Sequence, residues 1–483
     1  MRAATGKSSI GLRSDRGAIL AALMLATSLV ALDSTIIATA VLTITDSLGG
    51  FSQFPWLFSI YLLAQAVTVP IYGKIADTFG RKPVMLFGIA AFALGSLLCG
   101  IATTMPALIV FRAVQGIGAG AVQPMSMTIA GDIYTLEERA TVQGYLAGVW
   151  AASSVLGPLL GGIFSEYVSW RWIFLINLPL AALAAWVLIR SFRETAPRQR
   201  QSIDYLGAVL LAGGAGAIIL GLLEGGHSWA WTSPVGIGVF AGGVALLVVF
   251  AFVERGARSP ILPLWVFTRR IVVTASLASL LIGAVMLGLT SYVPTFAQGV
   301  LGVGALVAGL TVGALTLGWP LTASQAGKLY LRIGFRRTAL LGSSLAALGA
   351  LSTLLIGSGS TLWQVAASCF VIGAGMGWVA APTLIAAQTS AEWSERGVVT
   401  ATTMFARSIG SAVGVAVFGA LVNLRVGGVE HPAPEALSSA IQLVFIGVSV
   451  MAVVMVVAAA ALPRDRAARS VPAPEPSATV PQE

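Results

Sequence analysis

Apolar runs of about twenty residues, parted by short polar breaks, fill the chain from Ala18 to Leu462. A helix crossing a hydrocarbon core of about 30 Å needs about 20 such residues at a rise of about 1.5 Å each. Fourteen runs reach that length, near 18–42, 54–73, 83–102, 107–130, 141–164, 172–190, 205–223, 235–253, 271–296, 303–326, 338–357, 362–387, 398–422 and 438–462. The pattern predicts an all-α polytopic membrane protein with 14 transmembrane helices. An even number of crossings puts both termini on one side.

Basic residues choose that side. Of the 28 Lys and Arg, 24 fall in the N-terminal tail, in the connections leaving even-numbered helices, or in the C-terminal tail. Arg171 and Arg425 fall on the opposite side, and Arg112 and Arg407 lie within helices. Cytoplasmic connections collect Lys and Arg, so both termini are expected in the cytoplasm, with the chain in the cell membrane. Composition agrees, since 57% hydrophobic against 10% charged residues excludes a soluble class. The net charge of +9 is accounted for by this topology, so the lipid bilayer rather than nucleic acid is the expected partner. The basic start, 1–17, reads as a cytoplasmic tail before an uncleaved first helix, because the run that follows is too long for a signal core. The Pro-rich end, 463–483, reads as a disordered cytoplasmic tail. Cys99 and Cys369 fall in apolar segments, so neither a disulfide framework nor a metal cluster is implied.

The glycines carry a repeat at an offset near 257 residues. Gly116, Gly118 and Gly120 match Gly373, Gly375 and Gly377, while Glu138, Arg139 and Gly157 match Glu395, Arg396 and Gly414. A weaker echo at offset 254 links "GKIADTFGRK" (73–82) with "GKLYLRIGFR" (327–336). Two six-helix bundles, 18–192 and 270–462, are therefore expected to flank an inserted helix pair, 203–254. Repeats of this kind typify transporters in which two bundles rock about a site near the midplane.

These motifs resemble those of the fourteen-helix drug:proton antiporters of the major facilitator superfamily. "GKIADTFGRKPV" (73–84) resembles the signature loop between helices 2 and 3, "RAVQGIGAG" (112–120) the helix-4 motif, and "GPLLGG" (157–162) the helix-5 motif of exporters. "SWRWIFLINLP" (169–179) and "DYLGAVLLAGG" (204–214) are similar to the fourteen-helix branch. The helix-1 segment "LDSTIIATAVLTI" keeps Asp33 but lacks the family's asparagine and proline, and Leu331 stands where the first half has Asp77. The resemblance implies export of an amphipathic small molecule against protons, driven by the proton motive force without cofactor or nucleotide, by a protein expected to be a monomer. A lipid or metabolite exporter of the same fold is the alternative. A sensor or enzyme is the reading from another class.

Depth brings two charges to one level. Asp33 lies about 22 Å along helix 1 from the cytoplasmic face, and Arg112 about 8 Å below the outer face on helix 4, so both sit in the outer third. Pairing is the cheapest way to keep either there. Intramembrane ionisable groups are functional by default, so Asp33 and Arg112 are read as the proton-coupling pair, with a static packing pair as the alternative. In the helix 2–3 loop, Gly73 is expected to permit close backbone approach, and Asp77, Arg81 and Lys82 to pair with helix ends, with Asp132, Glu138 and Arg139 as partners. The resemblance makes this loop a cytoplasmic latch. Gly157, Pro158, Gly161 and Gly162 predict a bent, closely packed helix 5.

Gln65, Gln115, Gln123, Trp150, Tyr292, Trp319 and Trp378 are candidates to line a cavity, although most intramembrane aromatics pack. Arg407 and Glu224 are further candidates for that cavity, although Arg407, near mid-depth with no evident acid partner, is expected rather to bond backbone carbonyls, and Glu224 to lie at the outer interface. "GIGAG" lies mid-helix without a Gly-Lys-Ser/Thr, so no nucleotide site is expected. His227 and His431 fall in outer loops near Glu224, Glu430 and Glu435 without a nucleophile motif, so no enzyme is expected.

Overall fold

The computed structural model describes residues 11–463 apart from 13, 15, 135, 195–203, 226–227, 258–259, 263, 392–395, 428 and 430–431. The C-terminal tail from 464, most of the N-terminal tail, His227, Glu430, His431 and Glu395 thus lie outside the described residues, as do the side chains of Asp77 and Arg139. The described chain is helical, with a single isolated bridge between Gly225 and Trp229.

Fourteen rods follow one another. They are α1 (Gly17–Ile36, continued by the turn Ile37–Thr39 into Val41–Leu48), α2 (Pro55–Phe79), α3 (Arg81–Gly100), α4 (Met105–Ile133) and α5 (Leu136–Ile163, closing in the π turn Phe164–Val168). Next come α6 (Trp172–Leu175 and Asn177–Ser191), α7 (Tyr205–Glu224), α8 (Pro234–Gly256), α9 (Arg270–Gly299) and α10 (Ala305–Ile333). The last are α11 (Phe335–Thr353), α12 (Leu362–Thr389), α13 (Arg396–Val426) and α14 (Pro434–Ala460). Thirteen are long and apolar enough to cross a membrane. The exception is α11, a 19-residue helix with Arg336 and Arg337 at its start. Each of the fourteen apolar runs coincides with one rod.

Local chemistry sets the boundaries. Asp204 caps α7 by accepting from the Gly207 N–H at 2.8 Å, Ser233 caps α8, and Thr361 with Gln364 forms a capping box on α12. Gly80 (φ 106°) separates α2 from α3, and Gly334 (φ 89°) separates α10 from α11. Side chains rarely adopt that region, which explains why the echo at offset 254 preserves both glycines.

The shared glycines of α4 and α12 permit close approach. A Cβ on Gly116 would strike the Tyr61 carbonyl of α2, and one on Gly118 the backbone of Phe92 on α3. In the second set, Gly373 meets the Leu315 carbonyl of α10 and Gly375 the backbone of Ala346 on α11. Close backbone packing of this kind holds membrane helices together where lipid supplies no hydrophobic drive.

Helices α1–α6 pack among themselves, as do α9–α14, and the two sets meet along α5 with α10 and along α2 with α13. Helix α7 lies against both α2 and α13, whereas α8 packs mainly on α7 and buries only 17% of its apolar window. We call the side where α1 begins and α14 ends the near face. Toward the far face one apolar cluster spans both sets and includes Ile36, Val41, Phe54, Tyr292, Phe296 and Phe418. Phe54 and Tyr292 meet there at 5.3 Å between ring centroids. Hydrogen bonds join the sets at the same end, from Asn423 to the Ser52 carbonyl and from Gln298 to the Thr39 carbonyl. Toward the near face the clusters of α1–α6 and of α9–α14 are separate, apart from one around α7 that links α2 with α13.

Candidate functional site

Asp33 and Arg112 face each other inside α1–α6, with 0% and 1% of their surfaces exposed. Arg112 Nη1 donates to Asp33 Oδ2 at 2.7 Å and to Gln115 Oε1 at 2.6 Å. Gln115 Nε2 donates to Asp33 Oδ1 at 2.7 Å and to Ser96 Oγ at 2.8 Å. Arg112 Nε donates to the Leu57 carbonyl at 3.0 Å, and its guanidinium lies 4.1 Å from the centre of the Tyr61 ring. Asn177 Nδ2 stands 3.5 Å from Asp33 Oδ1. Five helices, α1, α2, α3, α4 and α6, thus contribute to one network. Each Asp33 oxygen thus accepts a hydrogen bond from a buried donor. Breaking a buried pair by neutralising one member leaves the other charge without compensation, which costs about 3–5 kcal/mol.

Gln115, grouped by its sequence with cavity candidates, lies inside this network with none of its surface exposed. Its position three residues after Arg112 on one helix face was the available signal. Ser96, Asn177, Leu57 and Tyr61 were not singled out. Asn177 is a lone amide in an apolar run, and the Leu57 carbonyl carries no sequence signal at all.

A second cluster lies at the near face. Arg81 Nε is 3.0 Å from Asp132 Oδ2, the Arg81 backbone N–H donates to Glu194, and Lys82 Nζ donates to the carbonyls of Ile189 and Phe192. Glu138 pairs with Arg16 instead. These contacts stay within α1–α6 and border a polar recess of about 430 Å³ that includes Asp132, Arg193 and Glu194. The expected close approach at Gly73 is not found, because a Cβ there would meet open space. Gly80 is the constrained glycine of the loop, with its positive φ and the Glu194 carboxylate against it.

Helix α5 is wedged between α1 and α10. Gly157 and Gly161 press on Thr35 and Ile36 of α1, and Gly162 presses on the backbone of Leu306 on α10. Pro158 lies inside the helix between them.

The remaining candidates scatter. Gln65 donates to Gln123 at 3.2 Å, linking α2 and α4. Tyr292 is sealed in the far cluster, while Trp150 and Trp378 are partly buried. Glu224 accepts from Trp56 Nε1 at 3.0 Å and from Ser228, tying α7 to α2. Arg407 lies over the Trp319 ring, 5.5 Å from its centre. The carbonyl bonds expected of it are not formed: its buried Nε has no hydrogen-bond partner. An apolar recess of about 580 Å³ between α1 and α5, lined by Met24, Tyr145, Val149 and Ala152 among others, was not legible in the sequence. Its residues look like any other apolar helix.

The family model described as "Major Facilitator Superfamily" matches residues 23–415. The chain is 35% identical over 401 residues to Multidrug resistance protein 3 of Bacillus subtilis (strain 168), covering 83% of this chain and 78% of that protein. It is 34% identical over 417 residues to Multidrug transporter protein MdtP of the same organism, covering 86% and 77%. Among solved structures, a bacterial homologue of the human lysosomal transporter Spinster, crystallised inward-facing and unoccupied, superposes with a TM-score of 0.67. That match is at 18% identity and covers 93% of this chain and 98% of the other, a likeness of fold. The chain belongs to the Major Facilitator Superfamily and is a multi-pass membrane transporter, not an enzyme.

Proposed function

We propose that this transporter is a proton-coupled antiporter that exports amphipathic small molecules from the cytoplasm by alternating access. The observation that carries the reading is Asp33, a fully buried carboxylate held by Arg112 and Gln115. Relatives named for multidrug resistance and transport support the substrate class. The excess of Lys and Arg on the near face supports assigning that face, with both termini, to the cytoplasm.

In this scheme the proton motive force is the only drive. Protonation of Asp33 removes its charge, weakens its bonds to Arg112 and Gln115, and frees the guanidinium to reorganise. The α1–α6 and α9–α14 bundles then rock about the glycine-rich face of α5. Arg81, Lys82 and Asp132, with Asp77 and Arg139, act as the near-face latch when the bundles close. The far cluster joins the two sets at the opposite end, which supports reading the arrangement as one closed to the outside.

The test is efflux from proteoliposomes under an imposed pH gradient, with a substrate chosen by thermal-shift screening. Asp33→Asn is expected to abolish gradient-driven efflux while substrate binding and downhill exchange persist. Gradient-driven efflux at the wild-type rate in Asp33→Asn overturns the assignment of Asp33.

A further inference from the structure

We infer that Arg407 is the receptor for the anionic head of the cargo, so that the exported molecule is a monoanionic amphipath. This deepens the export reading and rests on it.

Arg407 stands eleven residues beyond the start of α13, and Trp319 fourteen residues beyond the start of α10. At about 1.5 Å per residue both lie near the middle of a core of about 30 Å. Helices α10 and α13 each pack on α9, and they are the helices through which this set meets α5 and α2 of the other. The guanidinium and the indole therefore meet beside α9, on the helices by which this set faces the other. Backbone contact fixes the position, since the Arg407 carbonyl lies against Gly283 of α9.

The two intramembrane arginines differ in their partners. Arg112 has a carboxylate, an amide, a carbonyl and an aromatic face. Among the described residues, Arg407 has only the face of Trp319. No aspartate or glutamate occurs between residues 396 and 426 on α13, or anywhere on α9 to α12. The one acid of α14, Glu435, lies in its first turn at the far face. Asp33 is already engaged by Arg112 and Gln115. A charge kept at mid-membrane without a counter-ion is costly. Among the described residues no counter-ion offsets it, and a planar fork of donors suits carboxylate, sulfonate or phosphate oxygens. The indole supplies an apolar shelf beside the fork.

The test uses the full chain in phosphatidylcholine nanodiscs and two probes with one ring and opposite charge, naphthalene-2-sulfonate and 2-naphthyltrimethylammonium. Calorimetry is expected to show the sulfonate bound at least about tenfold more tightly, a preference lost in Arg407→Gln and largely kept in Arg407→Lys. Unfolding temperatures of the variants check that the fold persists. Adding phosphatidylglycerol separates the sources of the anion. Competition with the sulfonate assigns the site to a lipid headgroup, and its absence assigns it to a free amphipath; either result keeps the anion site.

Equal affinity for both probes, binding of neither, or a preference that survives in Arg407→Gln overturns the inference. The export reading is separately exposed. An ammonium probe bound more tightly and expelled by the pH gradient leaves export standing without an anion site. A sulfonate bound through Arg407 yet unmoved by the gradient does the reverse.

Discussion

Asp33 receives its donors on separate oxygens, Arg112 on Oδ2 and Gln115 on Oδ1, and Gln115 also takes the second Arg112 bond. The glutamine is therefore the keystone between the two charges and the Ser96 hydroxyl. Gln115→Leu keeps the volume but leaves Asp33 Oδ1 with only the long approach of Asn177. An unsatisfied buried polar group costs about 1–3 kcal/mol. Thermal unfolding of the purified variant is expected to begin at a lower temperature by an amount of that order, and wild-type unfolding would show the amide to be dispensable. Sequence depth was enough to pair Asp33 with Arg112, because rise per residue is fixed. It was not enough to find Ser96 and Asn177, whose membership depends on how α3 and α6 are turned about their axes. Arg407 shows the opposite limit. Its missing carboxylate was visible in the sequence, but carbonyl bonding was the expectation, and only the structure leaves its Nε unpartnered.

The helix count was written in hydropathy, and even α11, too polar for a confident span on composition, takes its expected place between α10 and α12. The repeat was legible because equivalent turns need the same residue. Gly80 and Gly334 end α2 and α10 with positive φ, and both sit in the echo at offset 254. Gly73 belongs to the same echo but carries no such constraint, and a sequence gives no means of telling the two kinds of glycine apart. Alanine separates them. Gly80→Ala and Gly334→Ala are each expected to lose about 1–3 kcal/mol through strain in a positive-φ region that essentially only glycine adopts. Gly73→Ala, in open space inside a helix, is expected to be neutral or to gain up to about 1 kcal/mol. Thermal shifts of the three variants check the ranking, and equal losses would refute it.

At the scale of the whole chain, two helix sets are joined by an apolar seal and hydrogen bonds at one face and by α5–α10 and α2–α13 contacts along their flanks. If transport requires the seal to part, a covalent strap across it must stop the cycle. Asn423 Nδ2 reaches the Ser52 carbonyl at 3.0 Å, and the native cysteines, Cys99 and Cys369, are both buried. The pair Ser52→Cys with Asn423→Cys is expected to cross-link under mild oxidation and to arrest efflux until reduced. Undiminished efflux from the cross-linked protein would rule out opening at this end.

The uncompensated cation of α13 has a further, electrical consequence. A monoanion leaving as one proton enters moves two positive charges inward per cycle, whereas a monocation leaving would move none. Each charge crossing an inside-negative voltage of 100 mV releases about 2.3 kcal/mol. If the proposed exchange of one anion for one proton holds, an exporter built around Arg407 draws on the membrane voltage as well as the proton gradient, and continues to run in a cell whose internal and external pH are equal.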